Sequence, residues 1–241
     1  MTGLNRKDIV RLVDWGEGRS DVDRGLALLA VADPTRPQDE LADVCLGARD
    51  AAVISLRAAT FGPTFEMHVA CGSCGEWMEF TLTADQLALP GPEADGFVVE
   101  IGGSEHHFRL PNSKDIAAVD AAIAADGGDP LHARRNLVAR LHTGGGALEV
   151  NDEVAAAVGQ AIEDFDPRTV VAARLACPAC GHQTRSVFEP VSYLWTELEM
   201  SARRIQEEVH VLARTYGWTE DHILAMSETR RRAYLEMIEG E

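Results

Sequence analysis

Two short stretches carry the residue types best suited to chemistry. Cys71-Gly72-Ser73-Cys74-Gly75 and Cys177-Pro178-Ala179-Cys180-Gly181 are each a C-x-x-C pair closed by glycine. Two cysteines at this spacing can ligate one tetrahedral ion from a single tight turn, and the glycine lets backbone N–H groups approach the thiolates. Two such knuckles complete a shell of four sulfurs. The halves are separated by 102 residues, so a joint site forms only if the fold brings them together. Redox chemistry is the competing reading, but a redox C-x-x-C sits at a helix start, where the dipole lowers a thiol pKa. Both pairs here lie between strand-like runs. Four thiolates leave no position for water, so the expectation is a structural zinc ion (Zn2+) on Cys71, Cys74, Cys177 and Cys180 and no metal catalysis.

The flanks must position those cysteines. Thr64–Ala70 alternates and runs into Cys71, and Trp77–Leu82 alternates after Gly75. Val170–Leu175 leads into Cys177, and His182–Phe188 leads out. Strand, knuckle, strand is the unit of a zinc ribbon, and here it occurs twice. The segment between the two units reads as an insertion. Phe97–Ile101 and His106–Leu110 form a hairpin turning at Gly102-Gly103, followed by helices over 114–124, 131–142 and 151–164, with Thr143–Gly146 as a loop.

Helices flank this arrangement. Residues 6–16 and 21–32 show helical periodicity, the second with Asp21 as a candidate cap. Residues 38–60 read as two shorter helices with a turn inside Leu46–Asp50. From Tyr193 the apolar positions Leu194, Leu198, Ile205, Val209, Leu212 and Tyr216 mark a long amphipathic helix that Gly217 can stop. Thr219 and Ser227 can cap two more. The predicted fold class is therefore α+β. It comprises an N-terminal helical segment (1–62), a split four-cysteine zinc ribbon (63–83 plus 170–190), an inserted α/β segment (84–169) and a C-terminal helical module (191–241).

Other candidates carry less. His106 and His107 are adjacent on a strand, so their rings point to opposite faces and do not chelate one ion together. His132 and His142 are ten apart on one predicted helix with no carboxylate motif between them. His182 reads as a surface residue or as a donor to a knuckle sulfur. Cys45, in the pattern Leu41, Val44, Cys45, reads as a small buried hydrophobe. Thr143–Gly146 lacks the Gly-Lys-Ser/Thr ending of a P-loop. No nucleophile elbow, H-E-x-x-H or dinucleotide fingerprint is present. Arg230-Arg231-Arg232 reads as a solvated face or one meeting an acidic surface.

Hydrophobic residues make up 46% of the 241 and charged residues 25%, which fits a globular protein with a sizeable core. A net charge of −17 disfavours sequence-independent nucleic-acid binding, which needs a basic surface. No apolar run approaches a membrane span, and Met1–Asp8 lacks the apolar stretch of a secretory signal, so a cytoplasmic protein without membrane contact is expected.

The most unusual pattern lies near the C-terminus. Glu208-Val209-His210-Val211-Leu212-Ala213-Arg214-Thr215-Tyr216-Gly217-Trp218-Thr219-Glu220, with Ile223-Leu224 and the arginines before Tyr234-Leu235, resembles baseplate hub assembly chaperones of contractile-tailed bacteriophages. It is most similar to versions associated with phage-tail-like contractile injection systems. Asp23–Ala30, Ala58–Pro63 and Phe108–Pro111 share the likeness, which spans most of the chain. The resemblance implies a non-enzymatic part in building the baseplate, with baseplate or hub proteins as partners and no small-molecule substrate. Two complete knuckles depart from the broader family pattern, which leaves open whether the chain acts only during assembly or stays in the particle. Trp195, Tyr216, Trp218 and Tyr234 are the expected partner contacts. The alternative function is a zinc-ribbon regulator contacting nucleic acid or the transcription machinery.

Overall fold

The computed structural model describes residues 2–126 and 128–239. The chain opens with three helices. Helix α1 (Arg6–Gly16) starts where the Asn5 side chain accepts from the Asp8 N–H. Helix α2 (Asp21–Ala32) is capped by Ser20, which accepts from the Asp23 N–H. The sequence had offered Asp21 for that role, but Asp21 is already helical and the extended residue before it is the one placed to cap. After a 3-10 turn at Leu41–Asp43 comes α3 (Leu46–Phe61). The expected turn inside Leu46–Asp50 is absent, because this stretch is the first turn of α3. Gly47 reflects a close approach instead: a Cβ there would collide with the Asp166 carboxylate.

The first knuckle hairpin follows, β1 (Thr64–Ala70) with β2 (Trp77–Thr83). Helix α4 (Ala84–Leu87) is a single turn held by a capping box between Thr83 and Gln86. The insertion then builds its own sheet and core. Strands β3 (Gly96–Ile101) and β4 (Ser104–Arg109) turn through Gly102 and Gly103, both at positive φ. Helices α5 (Ser113–Asp126) and α6 (Pro130–Leu141) lead to a short strand β5 (His142–Gly144), and α7 (Asp152–Phe165) closes the insertion. Part of the stretch expected as a loop is thus a strand, giving an antiparallel order β3-β4-β5. Gly145 sits at φ 104° with the Glu105 carbonyl where a Cβ would be, so its glycine serves close strand approach rather than flexibility. Phe97, Phe108, Val138, Leu141, Ala155 and Val158 fill this core.

The second hairpin, β6 (Val171–Ala176) with β7 (Gln183–Phe188), leads into the long α8 (Pro190–Tyr216). Gly217 ends α8 in the left-handed conformation and donates to Ala213, as its position suggested. Helices α9 (Glu220–Ala225) and α10 (Glu228–Glu239) complete the chain. Helix α8 is the spine. Its Leu194, Trp195, Leu198, Ala202 and Ile205 pack against Ile9, Val10, Leu28, Val53 and Leu56 from the three N-terminal helices. The 3–4 spacing of those α8 residues is what lets one stripe face three partners. Among the described residues, no helix is long and apolar enough to cross a membrane.

Candidate metal centre

The base of the two hairpins is fixed before the cysteines are reached. Arg57, 5% exposed on α3, donates from Nε and Nη2 to the two carboxylate oxygens of Glu197 on α8 at 2.8 and 2.5 Å. Its Nη1 donates to the carbonyls of Gly62 and Thr64, at the start of β1, and its guanidinium lies 4.3 Å from the Phe65 ring centroid. Phe65 of β1, Phe188 of β7 and Tyr193 of α8 form a three-ring cluster with centroids 5.3–5.8 Å apart. The Tyr193 hydroxyl donates to the Glu66 carbonyl at 3.0 Å. These contacts set the two hairpins side by side, although no strand of one hydrogen-bonds to a strand of the other.

The knuckles repeat one local design. Gly75 N–H donates to Cys71 O at 2.9 Å, and Gly181 N–H to Cys177 O at 2.8 Å. Cys71 N–H donates to Glu76 O at 2.8 Å, and Cys177 N–H to His182 O at 2.9 Å. Gly75 and Gly181 have φ of 75° and 72°, a region that disfavours a side chain, which explains the glycine after each pair. In both knuckles the first cysteine is buried and the second exposed. Met78, Val69 and Leu175 pack around the buried pair. The His182 ring is exposed and donates to no sulfur, so only its backbone carbonyl serves the turn.

The four sulfurs converge. Cys71 Sγ lies 3.7 Å from Cys180 Sγ, Cys74 Sγ lies 3.6 Å from Cys177 Sγ, and all four fall within 4.8 Å of one another. A tetrahedron with metal–sulfur bonds of about 2.3 Å has edges of about 3.8 Å, so the cluster fits one ion. Its electrostatics agree. The Cys74 and Ser73 N–H groups pull the Cys71 thiol down to about 6. Cys74 is drawn down by the Glu76 N–H, yet the neighbouring Cys180 and Cys177 sulfurs push it up to about 12. Four sulfurs this close do not all ionise without a cation between them. Among the described residues, this is the one group of three or more potential ligands close enough to share an ion.

The remaining candidates separate. His106 is buried and His107 exposed, as opposite strand faces require. The fold adds a contact absent from the sequence reading: His106 Nδ1 lies 3.2 Å from His142 Nε2, because β5 pairs beside β4. Cys45 is half-buried against the insertion core. Arg231 is not a solvated residue. It is 2% exposed, donating to Glu208 and to the Met226 carbonyl, each at 2.8 Å. Arg6 donates to the same Glu208 oxygen at 2.5 Å.

Of the four expected partner contacts, Trp195 is corrected. It is 3% exposed in the helical core, its ring lies over Gly16, and its indole N–H donates to Glu199 at 2.8 Å. A signal was present, since Trp195 stands three and seven residues before Leu198 and Ala202 on the α8 stripe. Tyr216, Trp218 and Tyr234 are brought together. Trp218 stacks on Tyr216 with centroids 4.5 Å apart and meets Tyr234 edge-on at 4.8 Å. His222 stacks on the same indole at 5.9 Å. No protein-family model, curated protein or solved structure matches the chain.

Proposed function

We propose that the chain is a non-enzymatic assembly or structural protein of the baseplate of a contractile, phage-tail-like particle, carrying one structural zinc in a split ribbon. The four-thiolate shell supports the zinc part. A closed sulfur tetrahedron suits zinc, holds the ends of the insertion together and leaves no site for a reacting water. Metal binding then contributes directly to folding, because the unfolded chain has no preformed site. Purified protein is expected to hold about one zinc per chain by elemental analysis. A coloured protein containing iron would sink the zinc assignment.

The baseplate part rests on the C-terminal run that resembles hub assembly chaperones. The single observation that carries it into three dimensions is the Tyr216–Trp218–Tyr234 cluster, built from that run at the far end of α8. It lies roughly 35 Å along the helix from Tyr193 at the ribbon base, by a rise of 1.5 Å per residue. The metal thus organises one end of the spine while aromatic side chains, the commonest anchors of protein interfaces, gather at the other. The test is affinity capture of the tagged, zinc-loaded chain from native cells during particle assembly. Sheath, tube or hub proteins are the expected prey, and their absence with folded bait would count decisively against the reading.

A further inference from the structure

The knuckles pair their sulfurs in a way that metal binding alone does not require. In each, the first cysteine is buried, Cys71 at 3% and Cys177 at 2% exposure, and the second, Cys74 or Cys180, is exposed. The sulfur contacts cross between the knuckles and join one of each kind. Exposed Cys180 Sγ lies 3.7 Å from buried Cys71 Sγ, and exposed Cys74 Sγ lies 3.6 Å from buried Cys177 Sγ. Each sulfur that solvent reaches thus has a sheltered sulfur of the opposite hairpin against it.

The surrounding framework holds the sulfurs in these pairs. The bonds from Gly75 N–H to Cys71 O and from Gly181 N–H to Cys177 O fix each turn, and the Phe65, Phe188 and Tyr193 rings set the hairpins side by side. A disulfide bond is about 2.05 Å long, so each sulfur need move only about 0.8 Å, within reach of side-chain rotation.

We propose that the site reacts with peroxides, the clasp exchanging its zinc for two disulfides that cross the ribbon, Cys71–Cys180 and Cys74–Cys177. This exchange rests on the zinc reading and adds a second state to the same site. Cys180 and Cys74 are the attacking sulfurs, because they are the ones a dissolved oxidant meets. The Cys180 thiolate attacks one peroxide oxygen. An S–O bond forms, the O–O bond breaks, and the departing hydroxide takes up a proton and leaves as water. The Cys71 thiolate then attacks the Cys180 sulfur. The S–S bond forms, the S–O bond breaks, and a second hydroxide takes up a proton and leaves as water. Cys74 and Cys177 follow the same course. Each disulfide consumes one peroxide and two protons, and two electrons pass from the sulfurs to the peroxide. Without thiolates to hold it, the zinc departs as Zn2+. Disulfides closed within one knuckle would free the hairpins from each other, whereas crossed disulfides keep the ends of the insertion tied after the metal has left.

The test uses the full, reduced, zinc-loaded chain, its zinc content measured first, with hydrogen peroxide as the probe. One zinc should be released for about two peroxides consumed, read with a chromogenic chelator. Mass-spectrometric mapping of the unreduced chain should find Cys71–Cys180 and Cys74–Cys177. Hydrogen exchange in β1, β2, β6 and β7 should stay slow after peroxide, and should become fast when a chelator strips zinc from the reduced chain. Dithiothreitol with added zinc should restore the starting zinc content. Disulfides within one knuckle, a Cys71–Cys177 bond, or sulfinic acid on Cys74 and Cys180 would overturn the proposal. So would zinc fully retained under excess peroxide. A chain that holds no zinc before peroxide would defeat the zinc reading and the exchange with it, so the first measurement tells the two failures apart.

Discussion

At one end of the molecule Cys71, Cys74, Cys177 and Cys180 gather two hairpins, and at the other Arg6 and Arg231 converge on Glu208. Both close long loops: Cys180 stands 109 positions after Cys71, and Glu208 stands 202 positions after Arg6. The chemistry differs. Each cysteine pair is shaped by its own turn, with the same backbone bonds in both copies, and the two halves need only be brought face to face around an ion. The ionic clasp has no local template. Glu208 lies on α8, and its two guanidiniums come from α1 and α10, so the clasp exists only because three helices pack. A thiolate cluster owes its strength to a cation from outside, whereas a buried ion pair must compensate its own desolvation from within.

That contrast can be broken at either clasp. The largest effect should come from the metal. Cys177→Ser should lower zinc content and destabilise both hairpins together, with a metal-binding free energy of roughly 10 kcal/mol at stake. Zinc per chain and hydrogen exchange of β1, β2, β6 and β7 measure it. Zinc retained normally on Cys71 and Cys74 alone would show that the two knuckles are not one site.

The ionic clasp should follow. Arg231→Leu leaves the Met226 carbonyl without its donor and Glu208 with Arg6 alone, for an expected loss of about 3 kcal/mol in urea unfolding. If the loss were within the scatter of surface substitutions, the buried arginine would not be a clasp. Gly16→Ala should cost less, about 1–3 kcal/mol, because its Cβ would meet the Trp195 ring and the core must shift to admit it. An unchanged Tm would contradict that packing.

Titration gives the smallest effect and separates two kinds of carboxyl. Burial pushes Glu208 up, but its bonds to Arg231 and Arg6 prevail and hold it below its ordinary value. Burial likewise pushes Asp115 up, but the Arg109 bonds and the Asn112 N–H prevail and hold it below its ordinary value. The stability these two supply is present above their ordinary carboxylate pKa values and is lost as pH falls through the lower folded values. Burial raises Asp50, and burial together with the neighbouring Asp50 raises Glu189. Those two favour the folded state when protonated, so their contribution falls as pH rises from the ordinary values through the raised ones. Carboxyl-carbon NMR should therefore show Glu189 and Asp50 titrating above Glu208 and Asp115. The reverse order would refute the assignment.

Much of the local structure was legible because its causes are local. The cysteine spacing, the alternating flanks, the glycine after each knuckle and the stop at Gly217 all express short-range rules. The insertion hairpin at Gly102-Gly103 does as well. Errors fell where a residue has two uses. Gly47 and Gly145 looked like turn formers, but each makes room for a group from elsewhere in the chain, the Asp166 carboxylate and the Glu105 carbonyl. Trp195 looked like an interface anchor and is a core residue. Arg57 and Arg231 gave no warning, since an arginine on a helix normally faces water, and only packing makes it a buried donor. The His106–His142 contact needed β5, a strand too short to announce itself by alternation.

By itself the sequence determined the two half-sites, the strands that flank them, most of the helices, and the apolar stripe of α8. These depend on turn geometry, side-chain periodicity and ligand spacing within a few residues. Only the tertiary structure decided that the half-sites meet, that Trp195 lies inside, that Arg231 is buried on Glu208, and that each exposed sulfur lies against a buried one of the other knuckle. Each of those depends on which chain-distant surfaces exclude water together, and no short window of residues encodes that.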